Sequence, residues 1–181
     1  MRFCFLFIAV IFFAFQSDNK IPYRDGTLLT WDDFKGSPNA SSPYKALTET
    51  TTLIDIKTKG DEAIITIQNF FDKNLSWTKD RNNANLLGHE QTHFNISEVW
   101  TRKMRQKLKG KVFSVKTFQK ELNAVHDEVH KESKAMQTEY DKETEHSVNE
   151  ANQKKWNQKI SSELQKLNAF SGAEVSCKLS K

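Results

Sequence analysis

The segment His89-Glu90-Gln91-Thr92-His93 reads H-E-x-x-H. Leu86 and Leu87 precede it, and Phe94, Ile96, Trp100, Met104 and Leu108 follow. His89, His93, Ile96 and Trp100 recur at helical spacing, and a second apolar row passes through Leu86, Leu87, Phe94 and Thr101. The pattern predicts a largely buried helix from Asn83 to Leu108 that stops at Gly110. Arg102, Lys103, Arg105, Lys107 and Lys109 crowd its last turns, where cations suit the helix dipole. Residues four apart lie on one face of a helix, about 6 Å apart along its axis. Two imidazoles so placed can hold one metal ion, and the glutamate between them can activate a water there. Buried imidazoles beside a buried carboxylate need a partner, and a zinc ion is the economical one. The expected chemistry is metal-dependent hydrolysis with Glu90 as general base.

Outward from this helix the patterning changes. Upstream, Thr51–Lys57 and Glu62–Phe70 alternate apolar and polar residues around Lys59-Gly60-Asp61, which predicts a β-hairpin. Residues 18–45 hold breakers (Ile21-Pro22, Asp25-Gly26, Gly36-Ser37-Pro38, Ser41-Ser42-Pro43) around the apolar anchors of Leu28–Phe34. Downstream, Phe118, Leu122, Val125, Val129, Met136 and Tyr140 form one helical stripe. Trp156, Ile160, Leu164 and Leu167 form another. The tail after Phe170 carries no assignment. Hairpin, metal helix and long helices in that order predict an α+β fold, a small antiparallel sheet packed on a helical layer.

The chain has 181 residues. Arg2 followed by an apolar run from Phe3 to Phe15 reads as a signal peptide over residues 1–17. A single domain is expected over residues 18–181, exported to the periplasm or beyond the cell and not held in the membrane once the leader is cut. Lys and Arg number 27 against 23 Asp and Glu, and the signs are interspersed. That argues for a solvated surface and against nucleic acid as a partner. Cys177 alone would remain after cleavage, so stability must come from packing or metal rather than an intrachain disulfide. Nothing in the pattern fixes an oligomeric state.

Catalytic zinc sites usually have three protein ligands and an open position. His89 and His93 supply two. His146 is the expected third, with Asp141 the standing alternative. The two flank the buried stripe about 140° apart on an ideal helix, so both can face one metal only if the helix breaks near Ser147-Val148-Asn149. His126 and His130 also stand four apart, but their neighbours Asp127, Glu128, Lys131 and Glu132 read as a solvated face. Tyr140 is a candidate donor to an oxyanion. The strand from Ile64 to Phe71 is a candidate to pair with an extended substrate.

Several separated motifs now carry a resemblance. Trp31-Asp32-Asp33-Phe34-Lys35-Gly36, Ser76-Trp77, Leu86 to Phe94 with Glu98, Tyr140-Asp141-x-x-Thr144-x-His146, Gln153 and Trp156 occur in order. Together they resemble the bacterial DUF922 family, described as secreted zinc-dependent proteases of the zincin-like group, over about residues 28–160. Ser147 stands where that pattern leads one to expect glycine. The resemblance implies a zincin-type metallopeptidase fold and leaves the third ligand open. The expectation is therefore a secreted zinc metallopeptidase acting on peptides or proteins, with His89, His93 and His146 on zinc and Glu90 and Tyr140 catalytic. Two other readings stay open: an exported helical binding module with a structural metal, and a metal-dependent amidase acting on cell-envelope material.

Overall fold

The computed structural model describes residues 19–181. The expected signal peptide at residues 1–17 lies outside them. The fold is α+β. Strands β1 (Lys20–Pro22), β2 (Ala46–Leu47), β3 (Thr50–Lys59), β4 (Glu62–Asp72) and β5 (Trp77–Thr78) precede helix α1 (Ala84–Leu108). Strand β6 (Val112–Ser114), helices α2 (Phe118–Thr144) and α3 (Glu150–Lys166), and strand β7 (Glu174–Ser180) follow.

Strand β4 is the centre of a five-stranded sheet and forms a hairpin with β3, paired in register from Thr50↔Phe71 to Lys59↔Glu62. The far side of β4 is shared: β1 pairs with Phe70–Asp72, and β7 pairs with Glu62–Thr66. Both edges of β4 are thus occupied, so the expectation that it could pair with substrate is corrected. The free edge belongs to β3. The sheet is antiparallel except where β6 runs parallel to β7.

Along β4 the buried positions alternate: Ala63, Ile65, Ile67, Asn69 and Phe71 face inward. They lie on α1, which packs on its other side against α2 and α3 through Val99, Met104, Val129, Tyr140, Trp156 and Ile160. A smaller cluster of Tyr23, Leu29, Phe34, Phe71 and Phe94 docks the irregular N-terminal segment on the first half of α1. Arg81 holds that segment by donating to the carbonyls of Trp31 and Phe34 (2.7 and 2.9 Å). Gly36 permits the backbone to close on the loop after β4, because a Cβ there would stand 2.7 Å from the Asn74 carbonyl oxygen.

Helix α1 is bounded as its sequence predicts. Asn83 caps it by accepting from the Leu86 amide (2.9 Å), and Gly110 leaves it with a left-handed φ of 71°. Its basic end divides: Lys107 and Lys109 are exposed, but the two arginines are not. Arg102 and Arg105 are 2% and 1% exposed and converge on Glu98 Oε1 at 3.1 and 2.9 Å. Arg102 also pairs with Asp25, and Arg105 donates to the Ile67 carbonyl (2.7 Å) and the Phe170 carbonyl (2.9 Å). The cluster balances two cations against two carboxylates and ties α1 to the N-terminal segment, to β4 and to the chain after α3. Burial pushes the Glu98 carboxyl above its usual range, an effect the two guanidiniums oppose.

Breaking one partner of such a cluster leaves a charge buried without its complement. Arg105→Leu is expected to cost roughly 3–5 kcal/mol in urea unfolding. Lys107→Ala, which removes an exposed pair with Glu128, is expected to cost at most about 0.5 kcal/mol in the same assay.

Candidate metal centre

His89 and His93 leave α1 on one face, and the residues between them meet other parts of the molecule. Gln91 Oε1 accepts from the Leu29 amide (2.7 Å) and holds the N-terminal segment. The Thr92 hydroxyl donates to Asn157 Oδ1 (2.8 Å) on α3. Glu90 lines a cleft between β3 and α2. His89 and His93 point toward α2.

Three atoms converge there. His89 Nε2 and His93 Nε2 are 3.1 Å apart, and Asp141 Oδ1 lies 3.1 Å from the first and 3.0 Å from the second. Two ligands at about 2.0–2.1 Å from a tetrahedral ion stand roughly 3.4 Å apart, so this triangle is a slightly closed version of a three-ligand zinc site.

Other side chains orient these donors. Gln153 Oε1 lies 3.0 Å from His89 Nδ1, and Gln137 Oε1 lies 2.6 Å from His93 Nδ1. An amide oxygen only accepts, so each Nδ1 carries the ring proton and each Nε2 presents its lone pair to the triangle. Gln137 Nε2 donates to the His93 carbonyl (3.0 Å), and Gln153 Nε2 donates to Asn157 (2.7 Å), which fixes both amides. The arrangement matches the partner groups that orient histidine ligands in metal sites.

Burial alone would raise the Asp141 carboxyl, but the His89 and His93 imidazoles beside it favour its charged form, outweigh burial and hold it well below the usual carboxylate range. Burial would lower His93, and Asp141 with Glu90 raises it overall. Two imine lone pairs and a carboxylate thus face one point that calls for positive charge. The donor set suits zinc. Glu90 strengthens the fit. It is 3% exposed, lines the cleft, and its Oε2 is buried without a hydrogen-bond partner. A carboxylate oxygen left so is where a proton-accepting base would stand.

The sequence reading named His146 as third ligand; the structure brings Asp141 to that position instead. The helix break it required does occur. α2 ends at Thr144, and Glu145, His146 and Ser147 all take left-handed φ values of 51°, 53° and 80°. Such a conformation at Ser147 is what makes glycine the natural residue there. The turn folds His146 back over the site, with Nδ1 3.5 Å from Asp141 Oδ1 and its ring against Tyr44. Its side chain remains half-exposed, outside the triangle.

Tyr140 also lies elsewhere than expected. It is fully buried under His89, its ring stacked on the imidazole at 4.6 Å, and its hydroxyl is 2.8 Å from Gln153 Oε1. It positions His89 and does not line the cleft, so the role of oxyanion donor is withdrawn. His126 and His130 stack on each other at the far end of the cleft, about 22 and 16 Å of helix from Asp141. Sequence reasoning missed Gln137, although it stands one helical turn before Asp141 and had to share its face. Gln153 was noticed without a role.

A family model described as "Bacterial protein of unknown function (DUF922)" matches residues 47–147. The chain belongs to this family. The matched span carries the hairpin, α1, α2 and the left-handed turn, but not the Trp31–Gly36 motif or Gln153. No curated protein and no solved structure matches the chain.

In equilibrium dialysis with zinc, Asp141→Ala is expected to weaken binding far more than His146→Ala. Equal losses would restore His146 as a ligand. Gln153→Leu and Gln137→Leu, which remove only the orienting acceptors, are expected to weaken zinc binding about 10–100-fold.

Proposed function

We propose that this protein is a secreted zinc-dependent metallopeptidase of zincin-like fold, with His89, His93 and Asp141 as zinc ligands and Glu90 as general base. The observation that carries the reading is the unpartnered Glu90 Oε2, buried at the wall of an open cleft beside three converging donors. A structural zinc site is closed by four protein ligands. Among the described residues the group holds three, which supports a catalytic site over a binding module with a structural ion.

The cleft has a volume of about 1460 Å³. Pockets for single small molecules run to roughly 300–1,000 Å³, so this one suits several units of a polymer. The free edge of β3 borders it at Thr50–Thr52, and an extended polypeptide can add to such an edge.

When bound, zinc polarises the scissile carbonyl and lowers the pKa of water toward 7. The chain's own residues supply the rest. Glu90 Oε2 takes the proton of the attacking water and returns it to the leaving amine nitrogen. Gln137 and Gln153 hold the two imidazoles in the tautomer that keeps both Nε2 atoms free to bind. Tyr140, stacked on His89, keeps that ring from rotating, and the apolar packing under α1 excludes water from behind the site.

Glu90→Gln is expected to keep zinc at wild-type stoichiometry and to lose at least about 10²-fold in peptide hydrolysis, the scale of a missing general base. Undiminished turnover in the purified, zinc-loaded variant would refute the assignment.

A further inference from the structure

Beyond the metal centre the cleft continues along α1 as an arm with its own chemistry. Trp100 and Met104 form its floor, and Thr50 and Thr52 of β3 form one wall. The other wall is α2, which presents His126, Val129, His130 and Lys134. Charge in this arm is one-sided: its ionisable lining residues are all basic. The carboxylates that line the cleft are at the metal centre or on its other side. Glu90 and Asp141 belong to the centre, Glu49 adjoins Thr48 (whose hydroxyl bonds the Glu90 carbonyl), and Glu145 and Glu150 follow the end of α2.

The acids carried by this part of α2 do not line the cleft, although Asp127 pairs with His126 of the arm. Glu128 pairs with Lys107. Lys134 is exposed, and among the described residues no carboxylate is paired with its ammonium. Trp100 gives the arm an apolar floor and is itself 7% exposed. The arm therefore combines an unpaired cation and a row of hydroxyls over an apolar floor.

We propose that this arm selects an acidic side chain of the polypeptide substrate, with Lys134 as the specificity-determining residue. The inference rests on the peptidase reading of the same cleft. A carboxylate supplies the negative charge that the arm lacks, and Lys134 meets it with both charge and hydrogen-bond donors. The distances set the position. Trp100 stands seven residues beyond His93 on α1, and Lys134 seven residues before Asp141 on the antiparallel α2. Each is about 10 Å from the centre along its helix. An extended chain advances about 3.3 Å per residue, so the selected acid lies about three residues from the scissile bond.

The test uses the zinc-loaded full chain carrying Glu90→Gln and fluorescein-labelled peptides with Glu, Gln or Lys three residues to either side of the centre. Fluorescence anisotropy is expected to show the Glu peptide bound about tenfold more tightly than the Gln peptide, on one side only, with the advantage shrinking as salt rises. Adding Lys134→Gln should abolish the preference, and adding Lys134→Glu should turn it toward the Lys peptide. Equal binding of the three peptides, or a Glu preference untouched by either substitution, overturns the proposal. So does equally effective displacement of all three by a sulfated polysaccharide, which marks a sequence-independent polyanion site. Wild-type cleavage separates the two readings. A charge preference without any hydrolysis sinks the peptidase reading and leaves the arm, whereas hydrolysis without a preference sinks only the arm.

Discussion

Helix α1 is enclosed by the sheet on one side and by α2 and α3 on the other, and it carries polar side chains into both interfaces. That burial is the constraint on which the molecule turns. A polar group shut away from water must be matched, and a charged one must be matched with good geometry. At its C-terminal half the match is internal: Glu98 meets Arg102 and Arg105, and their remaining donors reach backbone carbonyls of three other segments. At its N-terminal half the partners are two glutamines and an aspartate from neighbouring helices, and the match is incomplete. Two lone pairs, a carboxylate and the orphaned Glu90 oxygen all call for something positive. The unmatched groups of the N-terminal half thus face the cleft, whereas Glu98 and its two arginines lie away from it.

The parts legible in the sequence were those with a strong local period. The hairpin showed through strict alternation, and α1 showed through its two apolar rows, its Asn83 cap and its Gly110 stop. The stripe from Phe118 to Tyr140 correctly put Tyr140 and Thr144 in the core. What local pattern cannot give is which of two candidate side chains reaches a third element. Asp141 and His146 were both in view, and an ideal helix kept them apart. Three consecutive left-handed residues decided where His146 went, and nothing in Glu145-His146-Ser147 announces such a run.

Arg102 and Arg105 were misread for a related reason. Basic residues near a helix C-terminus usually face solvent, and the helix dipole accounts for them. Here the spacing Glu98, Arg102, Arg105 puts all three on one face of a helix whose surroundings are apolar. That combination was the available signal for a buried ion cluster. Strand β7 was missed although Val175, Cys177 and Leu179 alternate, because so short a run gains meaning only from its distant partner β4.

That distant pairing governs how the protein comes together. β7 fills the gap beside Glu62–Thr66 and is the strand on which β6 lies, so residues about 110 positions after β4 complete the layer under α1. Until Glu174–Ser180 has emerged, the inner face of the hairpin lacks a neighbour and α1 has only part of its bed. Closing a loop of roughly a hundred residues is slow compared with forming any single helix. A growing chain would therefore carry the histidine pair for some time as two loosely related side chains on a fraying helix, with no convergent lone pairs to trap an ion. The candidate site thus depends on a strand that lies far from it both in the chain and in the sheet.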